Sequence, residues 1–420
     1  MSTSDVTEQV VEVTSYAEVL EALRAGTTLA VVLDDEPVPV RAGTVLRLDG
    51  DAHTKRRRLL NRLVLRDRHA RLREEVLRPA IDRQMDAVFA SAGSDGRVRA
   101  DLVAFCMRAL LELNAAMIGL DRARTTQGLD DLARLQADLE EFPRLRTQLR
   151  GAAPPLPEGE EGLRRALARF ESAKREFVTR FYEPAFASRR ELVARSASGE
   201  IAEASLPTDF LTLVAAHADP AIDGDVDLPV RHAIMDFLHA GTGTTVGAVV
   251  RTIDELDRWW SEHPEDRERR EDPRFLASAV NEVLRLHSAN PAEVRRAVQD
   301  VTLCRGTVVR AGQYVALRTG FANRDVAAFG PDAERFDPHR VVPVGTYPYG
   351  VAFGSGPHMC YGLPLAIGND GTDGNIVVIL RRLYGAGVRK DPERPPRYRP
   401  AIAHADLKSF ESYPVVLGAS

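Results

Sequence analysis

The stretch FGSGPHMCYG, Phe353 to Gly362, surrounds Cys360 with three glycines, a proline and a histidine. Glycine reaches backbone angles closed to other residues, so such a loop can curl until several amide N–H groups face one sulfur. The LPLAI that follows reads as the start of a helix whose N-terminal dipole favours a thiolate at Cys360. A thiolate held this way is a metal ligand or a nucleophile, and a nucleophile would need His358 as its base. The plain alternative is a glycine-rich turn with an incidental cysteine. Cys106 lies in the apolar helical LVAFCMRALLEL and Cys304 in the strand-and-turn VTLCRGTVV, so both read as small buried hydrophobes. Three cysteines without a CxxC spacing predict neither disulfides nor a structural zinc site.

Two further groupings carry chemistry. FLHAGTGTTVGAVV lies in an apolar helical run from about Ile234 to Leu256, and each of Gly241, Gly243 and Gly247 weakens a helix interior by roughly 0.5 to 1 kcal/mol relative to alanine. Threonine hydroxyls can bond back to the preceding turn and bend a helix, so a distorted turn that receives a ligand competes with simple close packing through small residues. In DAHTKRRRLL, His53 and Arg57 are four apart and share a helix face, which suits a carboxylate or phosphate; a solvated basic face is the alternative.

The surrounding elements are those of a large soluble protein. The chain has 420 residues, 44% hydrophobic and 28% charged, with a net charge of −5 that argues against general nucleic-acid binding. No run approaches the roughly 20 apolar residues of a membrane span, and MSTSDVTEQV lacks the features of a signal peptide, so a cytoplasmic location is expected. From about Tyr16 to Leu256 apolar residues recur every three or four positions, as in HTKRRRLLNRLV and LREEVLRPAIDRQMDAVFA, and predict helices. GAAPPLPEGEEG, residues 151–162, predicts a connecting loop. From Arg295 onward short β-type runs alternate with turns before a last helix in VVILRRLYGAG. The fold class expected is mainly α with a smaller β portion.

Together these residues resemble the cytochromes P-450, the haem-thiolate monooxygenases. The cysteine loop is similar to that family's FGxGxHxCxGxxLA signature, matched in register by Phe353, Gly354, Gly356, His358, Cys360, Gly362, Leu365 and Ala366. The ExxR pair corresponds to Glu282 and Arg285, the meander to ANRDVAAFGPDAERFDPHR with Arg335 joining the pair, and the oxygen-activation helix to AGTGTT, Ala240 to Thr245. The likeness runs in order along nearly the whole chain and implies a single P-450 domain over residues 1–420. It implies haem b with Cys360 as the axial iron ligand, and His53, Arg57, Arg295 and His358 on the propionates, with Ala240, Gly241, Phe353, Gly354 and Gly362 against the cofactor. Thr244 and Thr245 are then the catalytic candidates, and Ala240, Thr244 and Ser288 to Ala292 the substrate contacts. It further implies a small organic substrate, possibly carrier-bound, hydroxylated in a natural-product pathway with electrons from a ferredoxin and its NAD(P)H-dependent reductase.

Four departures qualify that expectation. Gly243 replaces the usual acid before the threonine, and Ile367 replaces an arginine after Ala366. GNDGTDGN, with about two extra residues, predicts a glycine-weakened helix behind the haem, and VTSYAEV begins at position 13, so the N-terminal region is expected to be shortened. Altered chemistry, such as peroxide use, coupling or rearrangement, is the first alternative. A non-catalytic scaffold that activates a partner is the second, and the retained Cys360 argues against it.

Overall fold

β-branched runs that lie far apart in the sequence meet in one mixed sheet. In the computed structural model, which describes residues 10–26, 28–31, 43–93, 97–150, 159–217, 227–399 and 410–418, Val10–Val13 pairs in parallel with Tyr314–Leu317. Glu293–Ala297 lies antiparallel beside Tyr314–Leu317, with Leu29–Val31 outermost. The helix Tyr16–Arg24, capped by Ser15, lays Val19, Leu20 and Leu23 onto Val13, Leu29, Val315 and Leu317 in a single buried cluster. Alternation of side chains along each strand is what gives the sheet this apolar face.

The described residues form two compact units, neither continuous in sequence. The sheet belongs to the unit drawn from 1–39, 45–58 and 251–385; the other is drawn from 40–44, 59–250 and 386–420. The second unit is mainly helical, with a small sheet of Val98–Asp101, Pro414–Leu417 and Arg389–Lys390. Its central helix Leu102–Ile118 starts on the Asp101 side chain and ends at Gly119, which sits at φ 102. A Cβ at Gly119 would lie 2.5 Å from the Asp209 carboxyl carbon, so glycine is required there. Buried Arg189 binds Asp121, Asp209 and the Gly119 carbonyl, which ties that helix end down. The architecture is mainly α with smaller sheets, as expected.

Several local expectations change. The helix Gly159–Phe177 already includes residues 159–162 of the expected loop, and residues 151–158 lie outside the described residues. Cys106 is buried, but Cys304 is exposed. It stands at the tip of a turn, where its N–H donates to Glu21 Oε2 at 2.7 Å and the following amides of Arg305 and Thr307 donate to Glu18.

The stretch expected as a glycine-weakened helix is instead a break between two helices. Leu363–Ile367 ends at Gly368, and Asn375–Gly385 begins afresh. Gly368 sits at φ 83, and a Cβ there would lie 2.0 Å from Asp373 Oδ1, the atom that accepts the Asn369 N–H. Asp370 takes both the N–H and the hydroxyl of Thr372, which holds its carboxyl below the usual range.

Deep in the first unit, the helix Pro273–Leu286 carries a buried ion network. Glu282 accepts two bonds from Arg285, at 2.8 and 2.7 Å, and one from Arg340 Nε at 3.1 Å. Arg285 also donates to the carbonyls of Asn323, Ala333 and Arg335. Arg335 therefore contributes its backbone, while Arg340, five residues on, supplies the guanidinium expected from it. Removing one partner of a buried ion pair strands the other charge and costs about 3–5 kcal/mol. Glu282→Gln is expected to lose about that much stability in denaturant unfolding, because two guanidinium groups depend on it. A loss below about 1 kcal/mol would mean that the carbonyls alone satisfy Arg285 and Arg340.

Candidate cofactor site

Glycine gives the cysteine loop its shape. Gly354 and Gly356 sit at φ 67 and φ 68, and a Cβ on Gly356 would lie 2.7 Å from the Leu23 carbonyl oxygen, so the loop is seated directly on the end of the first helix. Arg24 on that helix donates through Nε to Ser355 Oγ at 3.2 Å. The Cys360 N–H donates to the Phe353 carbonyl at 2.8 Å and closes the curl, while the ring of Phe353 packs edge-on against Tyr349. Cys360 is exposed at the head of the helix Leu363–Ile367. With only five residues, that helix supplies much less dipole than the sequence pattern suggested.

Around Cys360 the first unit brings together residues separated by about three hundred positions. The helix Gly50–Asn61 presents His53 and Arg57 from one face, as the spacing of four predicts. The His53 and His358 rings lie 4.2 Å apart between centroids, and the Arg57 guanidinium lies 5.7 Å from the Tyr361 ring centroid. His358 Nε2 bonds Asp49 Oδ1 at 2.8 Å, and the other oxygen of Asp49 accepts the Val31 N–H at 2.9 Å. Asp49 therefore links the cysteine loop to the edge of the sheet. Sequence reasoning passed over it, although it directly precedes the helix that carries His53.

Burial, and then the positive neighbours His358 and Arg57, push the His53 pKa down to about 4. His53 Nε2 is buried and has no hydrogen-bond partner. Burial also lowers the pKa of Arg57, and Cys360 and Tyr361 pull it partly back. Arg295 is buried on the strand Glu293–Ala297, where it pairs with Glu293 and donates to the Val294 carbonyl at 3.1 Å. Here Glu293 is the residue that sequence reasoning missed; its spacing of two in a strand is the signal that could have found it.

Of the remaining predicted residues, Ser288 to Ala292 lie in the first unit and Ala240, Gly241, Thr244 and Thr245 in the second. Ala240 ends a π-helical segment, Ala233–Ala240, and Gly241 opens the α-helix Gly241–Glu262. Thr244 Oγ1 donates to the Ala240 carbonyl at 2.8 Å and Thr245 Oγ1 to that of Gly241 at 3.3 Å, which is the back-bonding that bends a helix. Buried Thr242 accepts from Asn114 Nδ2 at 2.9 Å, and Gln136 Nε2 donates to the Leu238 carbonyl within the π segment. A Cβ on Gly243 would meet nothing within 4 Å, so there is room for water or a side chain.

The family model for Cytochrome P450 matches residues 251–369, which contain the ion network and the cysteine loop. Over that stretch the chain resembles the cytochrome P450 family. In sequence the chain is 38% identical over 138 residues to the mycinamicin VIII C21 methyl hydroxylase of Micromonospora griseorubida, covering 33% of the chain and 32% of the relative. It is 46% identical over 96 residues to that organism's mycinamicin IV hydroxylase/epoxidase, 22% of each chain. Such matches span about a third or less of the length of the curated relatives. In structure it is similar to CYP109E1 from Bacillus megaterium in complex with testosterone, with a TM-score of 0.68 at 17% identity over 97% of this chain and 93% of that one. That likeness is one of fold.

The residues around Cys360 fit a haem. A propionate carboxylate would supply the partner that buried His53 Nε2 lacks, and the cations Arg57 and Arg295 are half-buried and buried respectively. The glycine loop leaves Cys360 exposed, with Arg57 close enough to interact with its charge. Replacing both His53 and Arg57 with alanine is therefore expected to lower haem content severalfold and to reduce the melting temperature of the loaded protein, because two charge-assisted bonds are lost. Unchanged haem content and melting temperature would mean that the pair does not hold the haem.

Proposed function

We propose that this protein is a haem-thiolate monooxygenase that hydroxylates a small organic substrate in a natural-product pathway. The observation that carries the reading is the convergence of His53, Arg57 and His358 on the glycine-built loop that presents Cys360. The cofactor is haem b, with Cys360 on the iron and His53, Arg57, Arg295 and His358 toward the propionates. A thiolate-ligated haem, when bound, supplies the one-electron and dioxygen-cleaving chemistry that no side chain offers.

The protein's own groups hold and position. Each Thr244 hydroxyl has one hydrogen, and here it is committed to the Ala240 carbonyl. Its oxygen lone pairs remain available to accept from a water or a substrate hydroxyl. The open space beside Gly243 accommodates that water where an acidic side chain would otherwise stand. Thr244 thus orients a proton donor without being a lasting proton source.

The electron donor proposed is a ferredoxin with its NAD(P)H-dependent reductase, and the compartment is the cytoplasm; no helix among the described residues is long and apolar enough to cross a membrane. A carrier-bound substrate is supported by the likeness to P450BioI, solved with an acyl carrier protein bearing hexadec-9Z-enoic acid, with a TM-score of 0.66 at 19% identity over 97% of this chain and 92% of that one. The likeness to the mycinamicin hydroxylase supports the natural-product setting.

Two experiments test the function. The reduced, carbon monoxide-bound protein is expected to show the thiolate-type visible spectrum and Cys360→Ala to lose it, since buried Cys106 and turn-tip Cys304 have no comparable surroundings. Retention of that spectrum by the variant would exclude Cys360 as ligand. Thr244→Ala is expected to lower product formed per NAD(P)H consumed by about tenfold or more, because water is no longer oriented beside Gly243. An unchanged ratio would favour the altered-chemistry alternative, in which protons do not pass Thr244.

A further inference from the structure

Arg295, the arginine that the family pattern reserves for a propionate, already has an anionic partner. On the strand Glu293–Ala297, Glu293 lies opposite Leu317 and Arg295 lies opposite both Val315 and Val31. Val13 and Val11 pair in turn with Leu317 and Val315. Cross-strand partners share a face and alternate residues share a face, so Glu293 and Arg295 stand together among Val11, Val13, Val31, Val315, Leu317 and Ala297. Among the described residues of this four-stranded sheet they are the only charged side chains on that face. Their side chains are 22% and 9% exposed, and one Arg295 nitrogen donates to the Glu293 carboxylate while another donates to the Val294 carbonyl.

A guanidinium has more N–H groups than these two bonds use, so a second carboxylate can join without displacing the first. Displacement would be costly, because it would leave a largely covered carboxylate beside an apolar face without its counter-charge. We propose that Glu293 remains on Arg295 when the haem propionate arrives, so that one guanidinium serves two carboxylates and the added negative charge lowers the haem reduction potential. The sign follows from Coulomb's law. A fixed anion stabilises the more positively charged, oxidised form of a nearby redox centre relative to the reduced one, and weak screening at a covered site strengthens the effect. Glu293 thereby acts as a positioning and tuning residue that touches the haem only through Arg295.

The inference rests on the reading of Cys360 and Arg295 as haem contacts. Its test is a spectroelectrochemical titration of the haem-loaded parent and of Glu293→Gln, Glu293→Ala and Glu293→Asp, with haem content measured alongside. Glu293→Gln keeps an acceptor for Arg295 but removes the charge, so it is expected to retain haem and to shift the potential in the positive direction. The same shift is expected in Glu293→Ala, whereas Glu293→Asp, which keeps the charge, stays close to the parent. An unchanged or more negative potential in the uncharged variants would overturn the proposal. So would failure of both uncharged variants to retain haem, which would give Glu293 a purely structural role. A parent protein without the thiolate-type carbon monoxide spectrum would instead overturn the functional reading on which the proposal stands.

Discussion

A buried guanidinium has to find an acceptor for every N–H it brings out of water, and Arg285 meets that demand by gathering backbone carbonyls. Its partners Asn323, Ala333 and Arg335 lie on a stretch with little regular structure to fix its path. The organisation then passes along the chain. Asn323 Nδ2 donates to the Arg285 carbonyl at 2.9 Å and its Oδ1 accepts the Val351 N–H at 2.7 Å. Val351 stands two residues before Phe353, whose carbonyl receives the Cys360 N–H. The position of the sulfur is thus set by a charge on a distant helix, and Glu282 is what allows that charge to be buried.

Much of the site was legible because its residues obey short-range rules. A spacing of four on a helix is enough to put His53 and Arg57 on one face, and glycines at 354 and 356 announce backbone angles that other side chains avoid. The back-bonding of Thr244 and Thr245 follows from hydroxyl chemistry in any helix. Resemblance then supplied what spacing alone left open, the choice of a metal ligand over a nucleophile at Cys360.

What sequence reasoning missed depends on contacts that no local pattern encodes. Asp49 looks like an ordinary acid ahead of a helix until the sheet edge and the cysteine loop arrive on its two oxygens. Arg295 is expected as a lone cation, and only the strand register brings Glu293 onto its face as a partner. The exchange of Arg335 for Arg340 has the same origin: in an irregular segment, side-chain direction is set by the turns, and there Arg335 points its carbonyl inward while its side chain is exposed. Cys304 carried an apolar signature from its strand, but the turn beside two glutamates placed it outside.

The break at Gly368 has a consequence for how freely this part of the molecule can vary. A long helix starting at Cys360 would fix the loop to one continuous rod of hydrogen bonds, so that a shift at its far end could move the loop with it. Here the array stops after five residues, and the next helix begins on a separate axis of its own hydrogen bonds. The surroundings of Cys360 are consequently local: the loop seated on Leu23, the bond from its own N–H to Phe353 and the nearby charge of Arg57. The segment from Asn369 to Gly374 lies outside both helices, so a change in its length or charge does not have to pass through a continuous helix to reach the cysteine loop.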